Sequence, residues 1–320
     1  MLRNQLVFLS ALTLASVCSA QQVYRVIDTA GDGGDGLAWG SAFDDLQAAL
    51  GVVVAGDEIW VAEGLYTPSD TDAAASFVMI DGVNVYGGFA GDETLRSQRD
   101  PSTHVTRLSG DIGHDDTFVP TYLIHTANSG HIIDASGVSA GTVIDGLTLE
   151  YGAYGPAGGS AGNPLMSGAG IYCVGGSPTI NNCVIQFCYS AFGAGGGMYF
   201  LNAHPTITNT KVQYNYGHLS NGAGIYLGGS SSAVIEDCEI SYNTMIFSLP
   251  DGYGGGIAHD SDGELIVRRS LFEGNLVRPF YSLGDDVGYG GGIFSFRSPL
   301  TVEDSVFKSN TASIGGGIIA

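Results

Sequence analysis

Basic residues are scarce in this 320-residue chain: Lys and Arg together number 11 against 32 Asp and Glu, a net charge of −21 at pH 7. Nucleic acids and anionic membrane surfaces would be repelled by this charge. A long apolar run is also missing, since no stretch beyond residue 20 approaches the roughly 18 uncharged residues of a membrane-spanning helix. We therefore predict no nucleic-acid partner and no transmembrane segment.

One shorter apolar run occupies residues 6–17, after Arg3 and before Cys18-Ser19-Ala20. That order is typical of a secretory signal peptide cleaved after Ala20. We predict that residues 1–20 are a signal peptide and that the protein is secreted or held at the cell surface. An acylated Cys18 is the alternative, although residues 15–17 lack the usual lipoprotein pattern.

Cysteine is sparse as well, and four cysteines follow the predicted leader. They form no CxxC pair, and no paired histidines accompany them, which excludes the common zinc patterns. Three of them fall on repeat positions, which favours buried thiols over disulfides. The four are Cys173, Cys183, Cys188 and Cys238.

Glycine, by contrast, is abundant, with 50 residues in a chain that is 44% hydrophobic. A Gly-Gly/Ala-Gly-Ile/Met signature recurs and implies repeated tight turns. Its copies begin at Gly168, Gly195, Gly222, Gly254, Gly290 and Gly315.

A second signature lies midway through each unit and aligns three columns of like residues. The small column contains Cys183, Thr210, Cys238, Ser270 and Ser305. The apolar column contains Ile185, Val212, Ile240, Phe272 and Phe307. The third column contains Cys188, Asn215, Asn243, Asn275 and Asn310.

Such columns are expected where successive coils stack about 4.8 Å apart, because equivalent residues then become neighbours. Stacked Asn side chains can bond along the column. We predict an all-β fold, a right-handed parallel β-helix (solenoid), with an N-terminal cap and irregular coils in 21–140 and regular repeats in 141–320. Leucine-rich repeats and β-propellers are the rivals, but the required strand motif and unit length are absent.

The sequence predicts a capping helix at the N-terminal end of the stack and no cap at its C-terminal end. Residues 39–50 fit a short amphipathic capping helix, with Ser41 as N-cap, Asp44 and Asp45 in the first turn, and Leu46 on the apolar face. Such a helix would cover the open end. The chain stops in a glycine-initiated strand at Ala320, which suggests a truncated C-terminus.

Two sets of residues resemble known families. The glycine openings followed by Phe272-Glu273-Gly274-Asn275 and Phe307-Lys308-Ser309-Asn310 resemble the GGA[ILV] and FxxN repeats of chlamydial polymorphic outer membrane proteins, which are surface adhesins. Residues 56–61 and 86–94 are similar to large secreted β-helix repeat proteins of environmental bacteria. The resemblance implies this fold, an outer-membrane-associated surface location and adhesion.

Enzymes also occur on parallel β-helices, so we searched for acids arranged for lyase or hydrolase chemistry. The adjacent pairs are Asp44-Asp45, Asp115-Asp116 and Asp285-Asp286. The first suits a helix start, and the third lies in an insertion. The second follows Asp111 and His114 and is either a solvated turn or a calcium site. We find no catalytic constellation and predict no cofactor, with calcium as the exception.

Insertions recur between the Asn column and the next glycine signature, and we predict loops along one edge at 189–194, 216–221, 244–253 and 276–289. Aromatic faces beside acidic acceptors suit neutral sugar rings. The candidate ligand-binding residues are Tyr189, Tyr216, Tyr253, Phe280, Tyr281, Tyr289, Asp251, Asp285 and Asp286.

These residues favour non-enzymatic adhesion to a glycan or a surface protein. Packing of the aromatics within their own loops is the structural alternative. The functional alternatives are a polysaccharide lyase or glycoside hydrolase with a divergent site, and a spacer in a longer surface protein.

Overall fold

The computed structural model describes residues 20–116, 128–153, 166–219, 221–247, 251–279 and 287–320. The predicted signal peptide lies outside these residues, apart from Ala20. In the described part, 31 strands (β1 to β31 along the chain) pair in parallel. No helix in this part of the chain is long and apolar enough to cross a membrane.

Three long sheets form the faces of the solenoid, because each coil from β2 onward contributes one strand to each. The first sheet contains, in spatial order, β1 (Val23–Val26), β2 (Glu58–Ala62), β5 (Asn84–Phe89), β8 (Val143–Asp145), β11 (Thr179–Asn181), β15 (Thr206–Thr208), β19 (Ala233–Glu236), β24 (Leu265–Arg268) and β29 (Leu300–Glu303). The second contains β4 (Phe77–Val78), β7 (Ile133–Asp134), β10 (Ile171–Val174), β14 (Met198–Leu201), β18 (Ile225–Gly229), β23 (Ile257–Ser261), β28 (Ile293–Ser295) and β31 (Ile318–Ile319). The third contains β3 (Gly64–Tyr66), β6 (Thr106–Ser109), β9 (Leu147–Glu150), β12 (Val184–Gln186), β16 (Lys211–Gln213), β20 (Glu239–Ser241), β25 (Leu271–Glu273) and β30 (Val306–Lys308).

The predicted columns are confirmed by the strand register. Ile185 pairs with Val212, Val212 with Ile240, and the column continues to Phe272 and Phe307. The first four residues of this column, from Ile185 to Phe272, are fully buried. The Phe272 ring stacks on the Phe307 ring, with centroids 4.6 Å apart. Like residues therefore fill the core as vertical files. The division of the coils at residue 140 stays a prediction.

The asparagine column forms a continuous hydrogen-bonded ladder. Oδ1 of Asn243 accepts from both the backbone N–H and the side-chain amide of Asn215, at 3.1 and 3.0 Å. The same pair of bonds joins Asn243 to Asn275 and Asn275 to Asn310. Hydrogen bonds between these side chains and backbone groups therefore stabilise the turn at this corner.

The insertions contain strands that we predicted as loops, and the prediction was wrong for these segments, whereas residues 191–194 do form a loop. The first residues of the insertions form a fourth parallel sheet of β13 (Tyr189–Ser190), β17 (Tyr216–His218), β21 (Thr244–Phe247) and β26 (Leu276–Pro279), and a fifth pairs β22 (Asp251–Tyr253) with β27 (Val287–Tyr289). Ladder hydrogen bonds satisfy this backbone. A second small core stabilises it, formed by Ala223, Met245, Phe247 and Val277.

A short helix closes the N-terminal end, as predicted. This helix, α1 (Leu46–Leu50), packs on β1 and β4, which are edge strands of the first two sheets. Its N-cap is Asp45, whose carboxylate accepts the Gln47 N–H at 3.0 Å, so the prediction of Ser41 was wrong. Ser41 instead ends a separate 3₁₀ turn (Trp39–Ser41), because Ala42 is extended and interrupts the helix.

The four cysteines are free and buried, so no disulfide joins them. Burial raises the pKa of the Cys173, Cys183 and Cys188 thiols to about 12 and that of Cys238 to about 11. Almost no thiolate is then present near neutral pH, and the thiolate is the reactive form.

We expect these four thiols to resist iodoacetamide in the native protein at pH 8 and to react fully in denaturant. Mapping the modified peptides by mass spectrometry checks each position separately from Cys18. Rapid labelling of Cys183 in the native protein would contradict this prediction.

Candidate functional site

A file of tyrosines runs along the outer face of the second sheet. Tyr172, Tyr199 and Tyr226 are in register on neighbouring strands. Their ring centroids lie 5.4 and 5.3 Å apart, with interplanar angles of 6 and 7°. The alternation of the strand turns these side chains outward while Ile171, Met198 and Ile225 fill the core.

The file is interrupted at Ala258, which pairs with Tyr226 on one side and with Phe294 on the other. Two strand spacings separate Tyr226 from Phe294, about 10 Å along the solenoid. An alanine methyl cannot fill this interval as a ring would. A cleft of about 600 Å³ lies here, and its lining includes Tyr226, Tyr253, Asp260, Tyr289, Phe294, Phe296 and Arg297.

The fifth sheet supplies the second wall of the cleft. Tyr253 and Tyr289 are in register, and their rings stack with centroids 5.5 Å apart at 17°. Tyr253 also packs on Phe294, at 4.5 Å between centroids, and its hydroxyl donates to Asp251 Oδ2 at 3.1 Å. Burial raises the pKa of Tyr253, and the hydrogen bond to Asp251 raises this pKa further.

Hydrogen-bond donors and acceptors surround these rings. Burial and the nearby Asp260 carboxylate raise the pKa of Tyr226 to about 12, so its hydroxyl stays protonated and can donate. Asp260 is exposed and offers an acceptor. The exposed guanidinium of Arg297 lies 4.9 Å from the Phe296 ring centroid and offers several donors. The cleft therefore combines aromatic surface with hydrogen-bonding groups.

The predicted binding residues separate into three groups. Tyr253 and Tyr289 line the cleft, and Asp251 bonds to Tyr253. Tyr189 and Tyr216 begin strands of the fourth sheet, with rings 5.7 Å apart, and they are absent from the cleft lining. The remainder, Phe280, Tyr281, Asp285 and Asp286, lie outside the described residues.

Sequence reasoning missed the wall contributed by the second sheet. The signal was present, because the residue after the Ile or Met of each glycine signature is the outward-facing member of this file. Read in order, these residues are Tyr172, Tyr199, Tyr226, Ala258, Phe294 and Ile319. The break at Ala258 becomes visible only when that column is followed.

The acidic pairs have different surroundings. Asp45 is the N-cap of α1 and Asp44 is exposed beside it, so these acids do mark the helix start, but the prediction that they lie in its first turn was wrong. Asp115 and Asp116 lie with Asp111, and one carboxylate oxygen from each falls within 4.8 Å of the others. His114 is not part of this group.

Comparison with known proteins places the repeat in a described family. A family model for a right-handed β-helix region matches residues 127–320. No curated protein matches the chain. Among solved structures, it is similar to a crystal structure of pectate lyase Pel9A, with a TM-score of 0.46 and 13% identity. That match covers 88% of this chain and spans 63% of the pectate lyase chain.

Proposed function

The chain belongs to the right-handed β-helix family, and on that premise we propose that it is a non-enzymatic protein of the cell exterior that adheres to neutral glycans. The proposal rests on the cleft at Ala258. Aromatic rings of the second and fifth sheets border this cleft, and the second sheet has alanine there in place of an aromatic residue. Sugar rings present apolar faces and a rim of hydroxyl groups. Tyr226 and Tyr253 suit the faces, while Asp260 and Arg297 suit the hydroxyls.

The charge of the protein supports a neutral ligand. With a net charge of −21, the chain would repel polyuronates and other acidic polysaccharides. The rigid scaffold also favours binding, since ladder hydrogen bonds hold the strands that carry Tyr253 and Tyr289 before any ligand arrives. The predicted signal peptide supports an exterior location.

The proposal is tested by screening the purified full chain against neutral and acidic polysaccharides, using affinity electrophoresis and calorimetry with calcium or with chelator. We expect saturable binding to at least one neutral glycan and no cleavage. New reducing ends or unsaturated products would contradict the non-enzymatic proposal and favour a lyase or hydrolase.

Removing the second wall should weaken binding strongly. We expect the double variant Tyr253→Ala/Tyr289→Ala to lose about 2 kcal/mol of binding free energy, roughly 30-fold in Kd, because two stacked anchor rings are lost. Calorimetry with the best glycan measures the change. The matched control is Tyr242→Ala, a residue that is 42% exposed and whose ring stacks on Tyr214 in a different file. Equal affinities for the two variants would place binding elsewhere.

A further inference from the structure

A buried histidine lies on the strand that forms the floor of the cleft. Ala258 and Asp260 of β23 belong to the cleft lining, and His259 between them is completely buried. This histidine is in register with Leu227 on β18 and with Ser295 on β28. The core therefore contains a titratable ring at a position where the preceding coil has a leucine.

Both ring nitrogens of His259 have hydrogen-bond partners. Nε2 lies 3.1 Å from the Gly263 carbonyl oxygen, which can only accept, so Nε2 carries the hydrogen of the neutral ring. Nδ1 is then an acceptor, and the Ser295 hydroxyl donates to it over 3.1 Å. A second proton, on Nδ1, would reverse this bond, because Nδ1 would become a donor. The Ser295 hydroxyl would then be left with the Ser298 carbonyl, at 3.3 Å.

These partners belong to the turn that carries two residues of the cleft lining, Phe296 and Arg297. The Phe296 N–H donates to the His259 carbonyl at 2.9 Å. Ser298 Oγ donates to the Phe296 carbonyl at 2.8 Å and accepts the Ser261 N–H at 3.3 Å. Arg297 has a φ of 54°, which costs free energy for a residue with a long side chain. Hydrogen bonds to the strand of His259 thus hold a strained turn against the cleft.

A positive charge on the buried ring would be poorly stabilised. Burial lowers the pKa of His259 more than the Gly263 carbonyl and the Asp260 carboxylate raise it. Asp260 lies on the same strand and is the one charged group that acts on this ring in the described part of the chain. Its register partners on the neighbouring strands, Leu227 and Ser295, carry no charge. A proton therefore favours any state in which the ring reaches water.

We propose that His259 is a pH-sensitive positioning residue of the cleft and that its protonation releases the turn formed by residues 296–298. The consequence, ligand release in acid, rests on the proposed glycan-binding function. Above a pH of about 6.5, the ordinary pKa of histidine, the ring is neutral in every state and the closed turn is fully favoured. Each pH unit below that value favours the open turn by up to about tenfold, until the buried ring itself takes the proton.

Hydrogen exchange of the full chain, followed by mass spectrometry on the peptide containing residues 293–299, tests this opening without a glycan. The variant His259→Gln removes the titration, because its amide stays neutral and can donate to the Gly263 carbonyl. We expect the ratio of exchange rates, unchanged protein over variant, to rise by up to about 30-fold from pH 7.5 to pH 5.0. Comparing the two proteins at one pH cancels the titration of His131 and His218, whose pKa values burial also lowers.

Calorimetry with the best neutral glycan of the screen measures the consequence for binding. We expect the Kd of the unchanged protein to rise at least about threefold from pH 7.5 to pH 5.0, and that of His259→Gln to change less than about twofold. The matched control is His204→Gln, an exposed histidine whose Nδ1 also lies beside a serine hydroxyl, Ser232 Oγ at 2.8 Å. This control should keep both pH responses. His259→Leu, which continues the apolar column of Leu227, is a second variant that cannot titrate.

The outcomes separate this proposal from the glycan-binding function. An exchange ratio that is the same at both pH values, for His259→Gln and for His259→Leu, would overturn the role of His259 whether or not a glycan binds. If the ratio responds to pH and no neutral glycan binds at pH 7.5, the glycan-binding function fails while the acid-sensitive turn is supported. If a glycan binds and acid weakens the unchanged protein and His259→Gln equally, the link between His259 and the cleft is overturned.

Discussion

Replacing Asn243 with alanine is expected to lower the free energy of unfolding by about 3–5 kcal/mol, because several buried polar groups lose their partners at once. Its Oδ1 accepts from the backbone N–H and the side chain of Asn215, and its Nδ2 donates to the Val212 carbonyl at 2.8 Å. Both Asn215 and Asn243 are almost completely buried. Water cannot replace the lost bonds without opening the corner.

Urea unfolding followed by circular dichroism measures this loss as a shift in the transition midpoint. A solenoid can unfold in stages, so the midpoint and Tm are compared directly between variants. The control Asn209→Gly changes an exposed asparagine with φ of 49°, a conformation that glycine adopts readily. Its effect should stay within about 0.5 kcal/mol. If Asn243→Ala is no more destabilising than this control, the ladder contributes little to stability.

The substitution Gly256→Ala is expected to destabilise the protein by about 2–3 kcal/mol through overpacking. A methyl group on Gly256 would lie 2.5 Å from the carbonyl oxygen of Gly292 in the next coil and 3.1 Å from a methyl group of Ile240. The first obstacle is backbone, so the two coils would have to separate. The strand pairing between β23 and β28, beside the cleft, would be strained as well.

Gly31→Ala provides the matched control. Nothing lies within 4 Å of a methyl group built on Gly31, so its stability should change by no more than about 0.5 kcal/mol. Thermal unfolding of the two variants gives the comparison, and glycan binding gives a second measurement because Gly256 precedes the strand of Ala258 and Asp260. Equal Tm values for Gly256→Ala and Gly31→Ala would show that the coils tolerate a side chain at this corner.

The fold could be predicted in detail because a stack makes tertiary neighbours periodic in the sequence. Asn215 contacts Asn243, 28 residues later, and Ile185 pairs with Val212 at nearly the same interval. A column of like residues in the sequence therefore identifies residues that contact one another in the fold. The helix at the N-terminal end was also predictable, although local backbone geometry at Ala42 moved the cap from Ser41 to Asp45.

The fourth and fifth sheets were missed, although their strands keep fixed offsets from the predicted columns. Tyr216 and Thr244 directly follow members of the asparagine column, and Tyr253 and Tyr289 directly precede glycine signatures. The residues between these strands differ in number from coil to coil, which favoured the interpretation of the insertions as loops. The two members of the cleft that sequence found, Tyr253 and Tyr289, were chosen for aromatic character near acids. That criterion could not separate them from Tyr189 and Tyr216, which lie in a different file.

The sequence by itself determined the repeat, the stacking of like residues and the composition of the candidate site, since each follows from residue type at a recurring position. Only the tertiary structure decided where a site forms. Ala258 leaves an interval in an aromatic file on one sheet, and Tyr253 borders that interval from another. The physical reason is that a cleft depends on lateral contact between sheets, whereas periodicity along the chain reports only contacts between successive coils.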